Sequence, residues 1–304
     1  MNKIVFVTIT SADGEDIQAP LLAASIRKFG GNLAEQPIWV LVPTKDKELP
    51  EKLLADFESL NVTIIPFSCD SDELTFPFTA FVCAAAKAEM LAKNTMELLV
   101  WMDSNSFILN EPSEFLLEEG RILGYRPVHH TLIGSEYSKP LDSFWQLLYS
   151  KLGVSEDIIF PMKTHVDGNI LRPYINSGFI VLRPEKGLFQ SWWDTYKELY
   201  KEPEFQEYYQ KDSLYTTFIH QAVLSSIILT KLNREELYEL PFSYNYPLHL
   251  YSDSSPEFQP DNLNEMVALR YYMDKLQKPE WLDPLPFYDP HKSWVIEKLK
   301  KNQS

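Results

Sequence analysis

The stretch LLVWMDSNSFIL occupies residues 98–109. An apolar run from Leu98 to Met102 ends on Asp103; Ser104, Asn105 and Ser106 follow, and the chain turns apolar again at Phe107. Leu98–Met102 has the length and composition of a buried strand bounded by turn residues. Asp103 and Asn105, two residues apart at its end, are hard oxygen donors of the kind that hold a divalent cation against a diphosphate. D-S-N-S is equally good turn chemistry, because Asp, Asn and Ser bond their own backbone. On this stretch alone both readings stay open.

Upstream, the pattern is regular. KIVFVTIT (residues 3–10), PIWVLVP (37–43) and NVTIIPF (61–67) are further apolar, β-branched runs. Between them, residues 19–30, 49–60 and 78–93 have helical spacing, the first closing on Gly30 and Gly31 as helices often do. Strands that alternate with helices predict βαβ units and a mostly parallel sheet with helices on both faces. In such α/β sheets ligands bind beyond the carboxyl ends of the strands, which is where Asp103 and the residues from Thr8 to Asp13 fall. Downstream the alternation weakens. Strands are expected in residues 121–127, 174–184 and 266–272, and helices in 140–153, 187–200, 212–232 and 290–301. No linker composition interrupts the 304 residues, so the expectation is one domain over 1–304, with a regular βαβ half at 1–110 and an acceptor-side half at 111–304.

Composition narrows the function. Apolar residues make up 45% and charged residues 23%, and the formal net charge is −15. A surface this acidic repels phosphate backbones, so nucleic acid is not the expected partner. Only ten glycines are present, with no G-x-G-x-x-G and no P-loop; a nucleotide held here would have its phosphates met by a cation or by basic side chains rather than by a glycine cradle. Cys69 and Cys83, the two cysteines, read as buried thiols in a reducing compartment. No C-x-x-C or Cys/His cluster suggests zinc. No apolar run reaches the ~18 residues of a membrane span, and Met1 leads into KIVFVTIT without a signal-peptide pattern. A soluble, cytoplasmic protein is the expectation. His129 and His130 have no third ligand at metal spacing, Trp192 and Trp193 read as helix packing, and Tyr208, Tyr209, Tyr244 and Tyr246 are rings able to stack on an acceptor sugar.

Four stretches together resemble a known family. AAAKAEMLAKNTMELLVWMDSNSFI (84–108), YINSGFIVLRP (174–184), FIHQAVLSSII (218–228) followed by LPFSYNY (240–246), and MVALRYYMDKLQKPEW (266–281) stand in the order of the motifs of glycosyltransferase family 8, the glycogenin-like nucleotide-diphospho-sugar transferases. The resemblance implies a GT-A fold, which is a Rossmann-like mixed sheet. It also implies transfer of a sugar, with retention of configuration, from a nucleotide-sugar donor (a UDP-sugar) to a carbohydrate or protein acceptor, with Mn2+ or Mg2+ as cofactor. By position it assigns Asp103 and Asn105 to the metal, Lys87 to the diphosphate or the donor sugar, Lys278 to the diphosphate, Asn176 and Gly178 to the sugar pocket, and Gln221 to the neighbourhood of the anomeric carbon. Thr8, Thr10 and Ser11 fall at the nucleoside.

The departures carry as much information. The second D-x-D acid is Asn105. The D-Q-D triplet is His220-Gln221-Ala222, and the metal-binding His falls at Arg270 or Tyr271. An Asn carbonyl carries no charge and Arg is not a metal ligand; Arg270, if it points inward, replaces the cation as a diphosphate clamp. Two alternatives remain: a sugar-nucleotide-binding protein that has lost turnover, and a haloacid-dehalogenase-like phosphatase. The phosphatase would place its nucleophilic Asp at the end of the first core strand, whereas Asp103 ends the fourth.

Overall fold

The structure is a computed structural model that describes residues 3–10, 18–43, 49–69, 75–272 and 279–301. Ser11 and Lys278 lie outside the described residues. In chain order the first half runs β1 (Ile4–Ile9), α1 (Gln18–Phe29), β2 (Ile38–Pro43), α2 (Glu51–Ser59), β3 (Val62–Phe67), α3 (Thr79–Ala92), β4 (Leu98–Met102), β5 (Ser106–Ile108). It continues with β6 (Leu123–Pro127), α4 (Ser143–Leu152), β7 (Met162–Lys163), β8 (Ile170–Leu171), β9 (Ile175–Leu182), α5 (Leu188–Leu199), α6 (Pro203–Lys211) and α7 (Ser213–Lys231). Last come β10 (Leu237–Glu239), β11 (Tyr246–Pro247), β12 (Ala268–Arg270) and α8 (His291–Lys301).

Seven strands form the main sheet in the order β10-β6-β9-β4-β1-β2-β3. β9 alone is reversed, antiparallel to both β4 and β6. Period-2 alternation divides the two faces. Val5, Val7, Leu99 and Trp101 meet the apolar faces of α3, α5 and α7, including Ala85, Trp192 and Val223. Ile4, Phe6, Leu98 and Val100 meet Leu22 and Ile26 of α1 on the other side. Ala84, Ala85 and Ala88 of α3 are fully buried, and such small side chains let a helix lie close to its neighbours. The mixed GT-A-like sheet and the two-sided helix cover expected from the sequence are both present.

The second apolar block of the opening stretch belongs to a different sheet. After Met102 the chain leaves the main sheet, and β5 pairs with β12 in a three-stranded sheet ordered β11-β12-β5. Ser106 lies opposite Arg270 in that antiparallel register. β5, β7, β8, β10, β11 and α6 are elements that the residue pattern did not announce; the strands among them have only two or three residues, too few for a period to show.

Two expectations are corrected. Cys69 and Cys83 are joined in a disulfide, so they are not free thiols and no longer speak for a reducing compartment. Tyr244 and Tyr246 are buried at 2% and 0% exposure and pack in the core, where they cannot stack on an acceptor. Trp192 is fully buried, as helix packing requires. Among the described residues no helix is long and apolar enough to cross a membrane.

Candidate functional site

Asp103 closes β4, and its backbone N–H donates to the Gly178 carbonyl of β9 at 2.8 Å. Its carboxylate is ion-paired with the Arg270 guanidinium, at side-chain exposures of 16% and 19%. A Cβ at position 178 would overlap the Asp103 carboxylate, so the close approach of β9 to Asp103 requires glycine. Asn176 Oδ1 accepts from the Gly178 N–H at 3.0 Å and from Arg270 Nη1 at 3.3 Å. Arg270 therefore bridges the ends of β4 and β9. Its position is fixed by the second sheet: Asn105 Nδ2 donates to the Tyr271 carbonyl at 2.9 Å, and the Tyr271 N–H returns to the Asn105 carbonyl at 3.1 Å. The Tyr271 ring is buried, stacked on Phe107 at 4.4 Å, which leaves Arg270 as the side chain of this pair that reaches Asp103.

These groups stand at a cleft of about 750 Å³ whose lining includes Ile9, Thr10 and Pro43 on the β1–β2 side, Asp103, Asn105 and Arg270 in the middle, and Phe78 and Phe218 beyond. Thr10 lines the cleft, whereas Thr8, equally buried, is not in its lining. Gln221 on α7 is buried behind β9, where its Oε1 accepts the Ser177 N–H at 3.0 Å. His220 beside it is held at both ring nitrogens. Nδ1 lies 2.8 Å from the Thr217 carbonyl and must donate; Nε2, 3.0 Å from Ser177 Oγ, then accepts. Burial, opposed by the Thr217 hydrogen bond, takes His220 down to about 3, so the ring is neutral at physiological pH. Lys87 lies in a separate hollow with Phe67, Gln190 and Trp193. The structure thus brings together Asp103, Asn105, Asn176, Gly178, Arg270 and Thr10, places Thr8 and Gln221 behind the cleft wall, and sets Lys87 apart.

A divalent cation fits this set poorly. Asp103, the carboxylate in the constellation, already faces a guanidinium that would repel a dication. Asn105 offers one neutral oxygen, Oδ1, which is buried without a protein partner. Among the described residues no group of three or more His, Cys, Asp or Glu side chains could hold a metal.

The Rhodobacterales glycosyltransferase domain matches residues 6–228, from within β1 to within α7, and so includes Asp103, Asn176 and Gly178. The chain belongs to this glycosyltransferase family. No curated protein sequence matches it. Among solved structures, the bifunctional glycosyltransferase WbbM is similar over 100% of this chain and 52% of its own, at 12% identity and TM-score 0.53, a likeness of fold. The galactosyltransferase LgtC, in complex with donor and acceptor sugar analogs, is similar over 98% of this chain and 94% of its own, with 12% identity and TM-score 0.48. Mouse xyloside xylosyltransferase 1 is similar over 88% and 97%, with 12% identity and TM-score 0.47. Phe78, which lines the cleft, and Ser177, which holds His220 behind it, are residues that sequence reasoning missed. Phe78 stands in an unremarkable F-P-F-T run, and Ser177 is the unassigned centre of N-S-G.

Proposed function

We propose that the protein transfers a sugar from a nucleotide-sugar, a UDP-sugar, to a carbohydrate or protein acceptor, with Arg270 gripping the diphosphate in place of a cation. The ion-paired Arg270 between Asp103 and Asn176 carries this reading. A guanidinium has five N–H donors in a planar fork. Asp103 and Asn176 orient it, and the donors left over suit phosphate oxygens. A glycine-rich phosphate loop is absent from the sequence, which leaves a cation or a basic side chain to meet charge on the leaving diphosphate, and Arg270 is the basic side chain at the cleft among the described residues. Retention and hexosyl specificity rest on the glycogenin-like resemblance.

A nucleotide-binding protein without turnover is the second reading, favoured by neutral His220, Gln221 and Ala222 where the resemblance expects two acids. The phosphatase alternative fares worse, because Asp103 ends β4 and not β1. Thermal unfolding with UDP, UDP-glucose, UDP-galactose, ATP and NAD separates these readings. At a concentration 100 times its Kd, a ligand that binds only the folded state adds about 2.7 kcal/mol. UDP and a UDP-hexose should stabilise most; equal or greater stabilisation by NAD or ATP contradicts the assignment. Release of UDP from the stabilising UDP-hexose then distinguishes turnover from binding alone.

A further inference from the structure

Phe78 is unusual in three respects at once. It sits at the N-cap of α3 with φ 63° and ψ 5°, in the left-handed region, which an aromatic residue occupies at a cost of roughly 1–2 kcal/mol. The residue is 39% exposed although it lines the central cleft. And it lies flat on the buried His220 ring, centroids 4.1 Å apart and planes 11° apart. Backbone strain of this sort persists where the surroundings over-determine it, and it concentrates at ligand sites.

The surroundings of Phe78 are fixed. His220 is pinned at both nitrogens, by Thr217 and by Ser177, and is backed by the fully buried Trp192 at 6.3 Å and 26°. The three rings form a stack that runs from the core to the cleft, and Phe78 is its outermost member. One face of Phe78 is covered by His220 and it meets Phe81 edge-on at 6.0 Å and 90°; its exposed surface belongs to the cleft. The turn before it is anchored by Tyr196, whose hydroxyl donates to the Pro77 carbonyl at 2.7 Å, and by Phe76, stacked on Tyr200 at 4.3 Å. The ring is held in place without a ligand, which is the condition under which stacking adds affinity with little ordering cost.

Strand order says what the ring faces. Arg270 and Asp103 stand at the end of β4. On one side are β1 and β2, the parallel strands whose carboxyl ends hold nucleosides in sheets of this type, with Ile9, Thr10 and Pro43. On the other side is β9, where Asn176 binds Arg270 and the next residue, Ser177, binds His220. With a diphosphate at Arg270, the nucleoside lies toward β1 and the sugar toward β9 and the stack.

Resting on the nucleotide-sugar reading above, we infer that Phe78 is a specificity-determining platform on which the C–H face of a neutral pyranose of the donor stacks. The stack offers an uncharged aromatic face and no counter-charge, so it favours a neutral pyranose over a carboxylated one.

The test is calorimetric titration of wild type, Phe78→Asn and Phe78→Trp with UDP, UDP-glucose, UDP-galactose and UDP-glucuronic acid. Asn accepts the left-handed backbone and keeps the turn without the ring; Trp keeps a ring. Unfolding midpoints of the variants check the fold. In Phe78→Asn the Kd of the preferred UDP-hexose should rise about tenfold relative to that of UDP, about 1.4 kcal/mol, while UDP itself changes less than twofold. Phe78→Trp should hold the wild-type ratio. Equal weakening of UDP and UDP-hexose in Phe78→Asn would put the base on this ring and overturn the proposal, as would no change in either. If the wild type binds none of the four ligands, it is the nucleotide reading of the cleft that has failed.

Discussion

On the β1–β2 side, the cleft wall consists of strand ends within the first 43 residues, each delivered by a strand whose apolar run is legible by itself. On the β9 side, Asp103, Asn176 and Arg270 meet through antiparallel pairings, and Arg270 arrives on a three-residue strand 164 positions after Ser106, its register partner. Among the described residues the first wall is shape with few charged groups. The second carries the charged pair and the neutral His220 stack. Regular βαβ repetition builds a ledge, and the irregular half equips it.

If that division is right, substitutions on the two walls should differ sharply. Arg270→Ala removes the guanidinium and strands the half-buried Asp103 carboxylate. Hydrogen bonds to charged groups contribute about 1.5–3 kcal/mol each, so losing two to a diphosphate should weaken UDP binding by about 100-fold or more, with Arg270→Lys in between because it keeps the charge and loses the fork. Thr10→Val on the β1 side should cost no more than about fivefold. Calorimetric Kd values for the three variants check this; a Thr10 effect as large as that of Arg270 would erase the contrast.

The two halves also answer pH in opposite directions, a smaller effect. Glu89 of α3 is buried, and burial lifts its carboxyl from 4.5 to about 7 against the pull of the α5 amides of Gln190, Phe189 and Leu188 that it caps. The folded state then binds the Glu89 proton between pH 4.5 and 7 where the unfolded chain does not, so this contribution is present below 4.5 and is lost as pH rises through 7. His220 and His165 run the other way. Burial pushes both down to about 3, aided at His165 by Arg126. The unfolded chain binds their protons between pH 3 and 6.5, so stability falls as pH drops through that window. Glu89→Gln should therefore flatten the loss between pH 4.5 and 7, worth at most about 3 kcal/mol. His220→Asn should flatten the acid limb instead. Denaturant unfolding from pH 4 to 8 reads both, and a common slope change in the two variants would contradict the opposite signs.

What the sequence disclosed follows the same divide. The first four strands and the first three helices were legible because each is long enough for its period to show. Asp103 and Gly178 were legible as motif positions, and the motif order put Arg270 or Tyr271 where the family has its metal-binding His. The contact between them could not, since a β5–β12 pairing of three residues leaves no periodic trace. Lys87 shows the limit of carrying a role by motif: the lysine is present, but α3 turns it into another hollow. Phe78 had no signal at all, because a positive φ and a stacked partner on α7 are properties of the folded chain. The cysteine reading failed because spacing cannot reveal that the end of β3 and the second turn of α3 lie within bonding reach.

The central claim is that Arg270 does a cation's work at Asp103, and metal removal tests it most directly. UDP should be titrated into the metal-stripped wild-type protein in EDTA and then in excess manganese, with Arg270→His/Asn105→Asp, which rebuilds a three-ligand set with Asp103, measured in parallel. The wild-type Kd should agree within about twofold in the two conditions, while the double variant, about two charges more negative at the site, should bind UDP only when manganese is present. Collapse of wild-type binding in EDTA, with recovery in manganese, would contradict the account and make Asp103 a ligand of a metal after all.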